Sequence, residues 1–128
     1  MDNKLSFESR MVDGDILALI LEGDLNSVTT EGFSQEVNRH LENGCTKIII
    51  DCRNLGYISS LGIGALVALK TRLNRKGGAV KLSTLRGPVA QLIKAVRLDK
   101  MLDIYGDLEF ARQSFYEGAT QASAVDDH

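Results

Sequence analysis

The segment KIIIDCRNLGYISSLGIGALVALK, residues 47–70, carries the pattern that determines the fold class of this chain. Its β-branched start, residues 47–51, is typical of a strand in the middle of a sheet. Residues 52–59 are predicted to form a connecting loop. The apolar run after them predicts a helix over residues 60–76 that is buried at its start, because its first turns are apolar on nearly every side. A strand that leads into a buried helix is the repeating unit of α/β folds.

Strands and helices alternate on both sides of this segment. The Asp13-Gly14-Asp15 turn predicts a hairpin, since glycine accepts the positive φ angles of tight turns. The order ββαβαβαβα predicts one α/β domain over residues 4–117, in which a mixed sheet of about five strands packs against about four helices. Residues 118–128 are expected to form a disordered tail. Periodicity and capping residues place the other elements at 5–11, 16–22, 28–43, 79–83, 87–96, 102–105 and 107–117.

Composition limits the classes of partner. The 128 residues carry 15 basic and 17 acidic side chains, interspersed along the chain, for a net charge of −2. Because nucleic-acid binding depends on a concentrated basic patch, we expect no direct binding to nucleic acid. No apolar run reaches the ~20 residues of a membrane helix and no signal segment opens the chain, so we expect a cytoplasmic protein without membrane insertion. Cys45 and Cys52 are too few for a disulfide framework and are expected to be buried.

The residues that enzymes use are nearly absent. His40 and His128 are the only histidines, and no metal-ligand spacing or nucleophile elbow is present. The Gly62-Ile63-Gly64 sequence lacks the further residues of dinucleotide and P-loop motifs. We expect its two glycines to let the buried helix approach the sheet closely. The sequence therefore predicts a protein that is not an enzyme, with no catalytic residues, metal or cofactor.

Two adjacent serines, Ser59 and Ser60, lie where the predicted loop turns into the buried helix. Serine is a preferred N-cap, because its hydroxyl accepts a hydrogen bond from a free backbone N–H at the helix start. The same position also suits phosphorylation, since a phosphoryl group there meets free N–H groups and the positive end of the helix dipole. Asp24 and Asn26, which follow the second predicted strand, are expected at the same rim of the sheet. The residues alone leave the structural and the regulatory interpretation open.

Three segments of the chain resemble the STAS family, and in particular the bacterial anti-sigma factor antagonists. They are LEGDLN at residues 21–26, IIIDCRNL at residues 48–55 and YISSLGIG at residues 57–64. The resemblance extends over residues 4–117 and implies a single STAS (SpoIIAA-like) domain. In that family the third segment typically reads Asp-Ser-Ser/Thr-Gly-Leu-Gly, and the serine after the aspartate is phosphorylated by a partner kinase.

The resemblance also implies which residue is modified. Aligned on Gly62 and Gly64, the family's phosphorylated serine corresponds to Ser60. Ser59 then stands where the family has its aspartate, and Leu61 stands where the family has a second hydroxyl. The missing aspartate removes a charge from the partner-facing rim and leaves Ser59 as a rival acceptor.

The function implied by the resemblance is that of an anti-sigma factor antagonist. Unphosphorylated, it would bind an anti-sigma factor that is also a serine kinase and thereby free a sigma factor, and a serine phosphatase would reverse the modification. Asp24 matches a usual acidic position of the family, whereas Asn26 replaces a common aspartate. The implied partner-binding surface consists of Asp24, Asn26, Ser59, Ser60, Leu61, Gly62 and Ile63.

Two alternatives stay open at this point. A STAS module also suits another signalling cascade, a scaffold or a lipid-transport complex, since the identity of the partner depends on surface details. The second alternative is a small α/β enzyme or nucleotide-binding protein with Ser60 as its nucleophile. The lack of a base placed beside this serine argues against it.

Overall fold

The computed structural model describes the backbone of residues 4–125 and the side chains of residues 4–116. The predicted alternation of strands and helices is confirmed. The tail predicted over residues 118–128 lies outside the residues whose side chains are described, and it stays a prediction. The strands are β1 (Leu5–Met11), β2 (Ile16–Leu25), β3 (Lys47–Ile58), β4 (Ala79–Ser83) and β5 (Asp103–Tyr105). The helices are α1 (Thr30–Glu42), α2 (Ser60–Arg75), α3 (Gly87–Ala95) and α4 (Leu108–Val125), with a short 3-10 turn at Leu98–Lys100.

One mixed sheet, in the order β1-β2-β3-β4-β5, forms the centre of the domain. β1 runs antiparallel to β2, and the other neighbouring strands are parallel. The hairpin between β1 and β2 is confirmed, and Gly14 in its turn has a φ of 73°. Because β2 and β3 are parallel, their carboxyl ends lie at the same end of the sheet, where α1 and α2 begin.

Helices cover both faces of the sheet. Ile48 and Ile50 of β3 pack in the large core beneath α1, α2 and α3, whereas Ile49 between them packs with Ala111 of α4 on the other face. Burial on both faces explains why this strand is apolar at consecutive positions, a pattern typical of parallel sheets. The α/β class and the single domain with a mixed sheet are confirmed.

β3 is longer than its sequence suggests. The prediction of a loop over residues 52–59 is wrong, because the strand continues to Ile58. β2 runs on beside this extension, and Leu25 pairs with Ile58 after irregularities in the register. Pairing between strands satisfies backbone N–H and C=O groups whatever the side chains, so tertiary context overrides the polar sequence. α1 also begins later than predicted, at Thr30, and Val28 before it is exposed.

Candidate partner-binding surface

The starts of α1 and α2 form one rim at the carboxyl ends of β2 and β3. The Ser59 N–H donates to the Leu25 carbonyl at 2.9 Å, so the residue before α2 is tied directly to the last residue of β2. This bond connects residues 24–26 with residues 59–63, the two segments that were expected at one rim. We call these two segments together the rim.

Ser59 is the N-cap of α2. Its backbone is extended, with φ −95° and ψ 173°, and its hydroxyl accepts a hydrogen bond from the Gly62 N–H at 3.2 Å. The Ser59 carbonyl accepts from the Ile63 N–H at 2.9 Å. The hydroxyl thus satisfies one of the N–H groups that every helix start leaves free. The capping interpretation of the serine pair therefore applies to Ser59.

Ser60 has a different environment. It is the first residue of α2, and it is exposed. Within the described part of the chain, no group forms a hydrogen bond with its hydroxyl. Leu61 beside it is 57% exposed. The start of α2 therefore presents a free hydroxyl and an apolar side chain to solvent.

Gly62 brings α2 against the end of β2. A Cβ atom at this position would lie 2.8 Å from the Leu25 carbonyl oxygen and 3.0 Å from the Ile58 Cγ1. The close approach predicted for Gly62 is confirmed. The same prediction for Gly64 is wrong, since nothing lies within 4 Å of its Cβ position, which is on the exposed side of the helix. Ile63 is partly buried and packs against the main core.

The loop before α1 is closed by its own polar groups. The Asn26 Oδ1 accepts from the N–H groups of Val28 at 2.9 Å and Thr29 at 3.1 Å. The Thr29 hydroxyl donates to the Asp24 carbonyl at 2.7 Å and accepts from the Asn26 N–H at 2.9 Å. Asp24 and Asn26 are only 8% and 4% exposed. This half of the rim is a buried support for the start of α1.

An ion pair between the buried Asp51 and the partly exposed Arg53 was not predicted from the sequence. Asp51, 0% exposed, accepts from the Arg53 Nη2 at 2.8 Å and from the Arg53 backbone N–H at 2.9 Å. The Thr84 hydroxyl donates to the same carboxylate at 3.4 Å. Burial raises the pKa of Asp51, but the hydrogen bonds and charge of Arg53 outweigh this and leave the pKa below its usual value. The available signal was the spacing, which places both side chains on one face of a strand.

The other chemically distinctive side chains have structural partners. The His40 Nε2 lies 3.2 Å from the Ser9 hydroxyl and 3.1 Å from a Glu36 carboxylate oxygen. Cys45 is partly buried and Cys52 is buried, and burial raises the pKa of the Cys52 thiol to about 12, so it stays protonated at neutral pH. Among the described residues, no group of three or more His, Cys, Asp or Glu is placed to hold a metal ion. No helix in the same part of the chain is both long and apolar enough to span a membrane.

The chain matches the model of a known protein family. The family model of the STAS domain matches residues 10–111. The chain belongs to the STAS domain family. The matched residues run from the end of β1 into α4 and contain the whole rim as well as Asp51.

Named relatives of this STAS domain are anti-sigma factor antagonists. The domain is 25% identical over 91 residues to the anti-sigma F factor antagonist of Paenibacillus polymyxa. This match covers 70% of this chain and 78% of that protein. The crystal structure of an anti-sigma factor antagonist from Mycobacterium paratuberculosis is similar, with a TM-score of 0.80, 20% identity and coverage of 89% of this chain and 96% of that one. The Bacillus cell fate determinant SpoIIAA in its phosphorylated form has a TM-score of 0.67 and 19% identity, and the match covers 86% of this chain and 99% of that one. These structural likenesses confirm the SpoIIAA-like fold.

Proposed function

We propose that this STAS domain is an anti-sigma factor antagonist that changes partners according to the phosphorylation of Ser60. Unphosphorylated, it binds an anti-sigma factor that is also a serine kinase and so frees a sigma factor. Phosphorylated, it releases that partner until a serine phosphatase removes the phosphoryl group. The domain is then a substrate and a ligand. The names of its relatives support the sigma-factor pathway, and one structurally similar protein is described in a phosphorylated form.

The observation that carries the proposal is the difference between the two serines. A kinase must reach the acceptor hydroxyl and align it with ATP. The Ser60 hydroxyl is exposed and free, whereas the Ser59 hydroxyl already accepts the Gly62 N–H. Phosphorylation of Ser59 would also displace the cap of α2. Ser60 is therefore the better acceptor, in agreement with its position in the family motif.

A phosphoryl group on Ser60 changes the charge of the rim while the fold stays intact. The first turn of α2 contains no acidic residue, so free N–H groups and the helix dipole stabilise the new anion. The modification adds nearly two negative charges beside the exposed Leu61. At a buried contact, a loss of roughly 2–5 kcal/mol is enough to reverse binding.

The replacement of the family's aspartate by Ser59 bears on how the partner is recognised. Compared with the family motif, this domain presents one negative charge fewer beside the serine that accepts the phosphoryl group. We expect its partner to rely on the apolar surface of Leu61 and Ile63, which are exposed and partly exposed. Asp24 and Asn26, both nearly buried, contribute by holding the loop that borders this contact.

Site-mapped mass spectrometry tests the proposal. The full chain is incubated with ATP and the serine kinase encoded nearest to its own gene, and wild type is compared with Ser60→Ala and Ser59→Ala. We expect one phosphate on Ser60 in the wild type and in Ser59→Ala, and none in Ser60→Ala. Phosphate on Ser59, or on neither serine, would refute the assignment of the site.

A binding measurement tests the electrostatic part of the switch separately. Ser60→Glu adds a negative charge at the acceptor, and Ser60→Gln is its neutral control of similar size. We expect Ser60→Glu to weaken binding to the kinase at least about tenfold, equivalent to ~1.4 kcal/mol, and Ser60→Gln to bind nearly as the wild type does. Equal affinity of the two variants would show that charge is not what breaks the contact.

A further inference from the structure

The two edges of the sheet are protected to different extents. β5 has three residues, which leaves little backbone for another strand. β1 has seven residues, no proline and an uninterrupted register with β2. Among the described residues, no strand pairs with the outer side of β1. A long and regular free edge is a template for pairing with another chain.

The backbone groups at this edge come from alternate residues of β1. The Val12 N–H donates to the Ile16 carbonyl at 2.9 Å, and the Asp24 N–H donates to the Lys4 carbonyl at 3.0 Å. An antiparallel ladder uses both backbone groups of every second residue, so the even-numbered residues of β1 bond to β2. The residues whose N–H and C=O groups point outward are therefore Leu5, Phe7, Ser9 and Met11.

We propose that this edge pairs antiparallel with β1 of a second copy of the chain, about a two-fold axis through Ser9. In this register the outward groups of Phe7 meet those of Met11, and Ser9 meets its own copy. Glu8 then lies opposite Arg10 on the other face of the sheet. Both charged side chains are accessible, at 62% and 54% exposure, and within one chain they pair with each other at 2.9 Å.

The charges select this register over its neighbours. An axis through Glu8 places two glutamates directly opposite each other, and an axis through Arg10 places two arginines opposite each other. Like charges at opposite positions destabilise a pair of strands, and unlike charges stabilise it. Of the three registers centred on residues 8, 9 and 10, only the one centred on Ser9 opposes unlike charges.

Apolar contacts favour the same register. Met11 is 52% exposed. Phe7 is partly buried, and together with Leu5 and Val28 it lines a groove of about 610 Å³ between β1 and the start of α1. In the proposed dimer Met11 of the second copy lies opposite Phe7, at this groove. The pairing thus removes an exposed apolar side chain from water.

The dimer is independent of the proposed function. β1 and β3 are separated by β2 in the sheet, so pairing at β1 leaves the start of α2 accessible in each copy. A dimer of this kind presents two partner-binding surfaces on one continuous sheet. Loss of the dimer and loss of phosphorylation are therefore measured separately.

Charge exchange at the edge tests the dimer by sedimentation equilibrium of the full chain. The wild type is expected at twice the chain mass of 14.0 kDa. Glu8→Arg opposes two arginines and Arg10→Glu opposes two glutamates, so each single variant should raise the dissociation constant at least about tenfold. An equal mixture of these two variants again opposes unlike charges, and we expect it to form heterodimers. The double variant Glu8→Arg/Arg10→Glu should form a homodimer.

Matched charge changes elsewhere provide the controls. Asp99→Arg and Lys100→Glu alter the net charge equally on the exposed 3-10 turn, and both are expected to leave the dimer unchanged. Circular dichroism confirms that each variant is folded. A wild type that stays monomeric at every concentration would overturn the proposal. So would a dimer that is insensitive to both single variants, or single variants whose mixture stays monomeric.

Discussion

α1 and α2 begin side by side at one rim, yet their first residues are built differently. At α1, the side chains of Asn26 and Thr29 are buried and hydrogen-bond within the loop. At α2, Ser59 alone provides the cap, and Ser60 stays exposed with a free hydroxyl. In the proposed switch Ser60 is the residue that is modified, and its neighbours provide the capping and packing at this helix start. Substitutions at the buried positions should therefore reduce stability, whereas substitution of Ser60 should not.

The largest effect is expected from Arg53→Met, which leaves the buried Asp51 carboxylate without its cation. We expect the free energy of unfolding at pH 7 to fall by about 3 kcal/mol, at the low end for a broken buried pair because the Arg53 side chain is 42% exposed. Urea denaturation followed by circular dichroism measures the loss. A surface control is Lys47→Met, which removes the ion pair with the exposed Asp15 and should cost less than about 1 kcal/mol.

The pKa of Asp51 implies that the effect of Arg53→Met depends on pH. In the wild type that pKa is lowered, so the carboxylate contributes stability above the unfolded value of ~3.9, and the contribution is lost as the pH falls through the folded-state pKa. In Arg53→Met, burial without a cation raises the pKa of Asp51. Protonation of this carboxyl group at lower pH then removes the cost of a buried, unpaired charge. The difference in the free energy of unfolding between the wild type and Arg53→Met should therefore decrease as the pH falls from 7 to about 4. A constant gap would show that Arg53 acts through packing alone.

The second effect compares two glycines of α2. Gly62→Ala places a Cβ atom 2.8 Å from the Leu25 carbonyl oxygen, and we expect it to cost about 2 kcal/mol through overpacking. Gly64→Ala meets nothing within 4 Å and should stabilise the helix by about 1 kcal/mol through its higher helix propensity. Thermal and urea unfolding of both variants provide the test. Equal effects would mean that α2 does not pack closely at Gly62.

These glycines also show how far the sequence predicts the structure. The strand–helix order, the hairpin and the serines at a helix start follow from local patterns, which residues near in sequence determine. Which glycine faces β2 depends on the rotation of α2 against the sheet, and no local pattern specifies it. The extension of β3 to Ile58 and the burial of Asp51 likewise depend on neighbouring elements. β2 pairs with the extension, and Asp51 lies in the middle of the sheet between β2 and β4.

The third effect concerns the buried half of the rim. Asn26→Ala, at a residue that is only 4% exposed, removes the oxygen that accepts the N–H groups of Val28 and Thr29. We expect a loss of about 1.5 kcal/mol in the free energy of unfolding. Asn26→Asp keeps an acceptor oxygen there and should lose less. If the alanine variant were as stable as the wild type, the hydrogen bonds of this loop would not support α1.

The smallest effects separate the two serines. Ser59→Ala removes the cap of α2 and should cost about 1 kcal/mol. Ser60→Ala removes an exposed hydroxyl without a partner in the described structure and should change stability by less than about 0.5 kcal/mol. Chemical denaturation of the two variants under one condition resolves this difference. The reverse order would make Ser60 the structural serine and Ser59 the residue free for modification. Loss of stability in Ser59→Ala, together with loss of phosphorylation in Ser60→Ala, would assign capping to Ser59 and phosphate acceptance to Ser60.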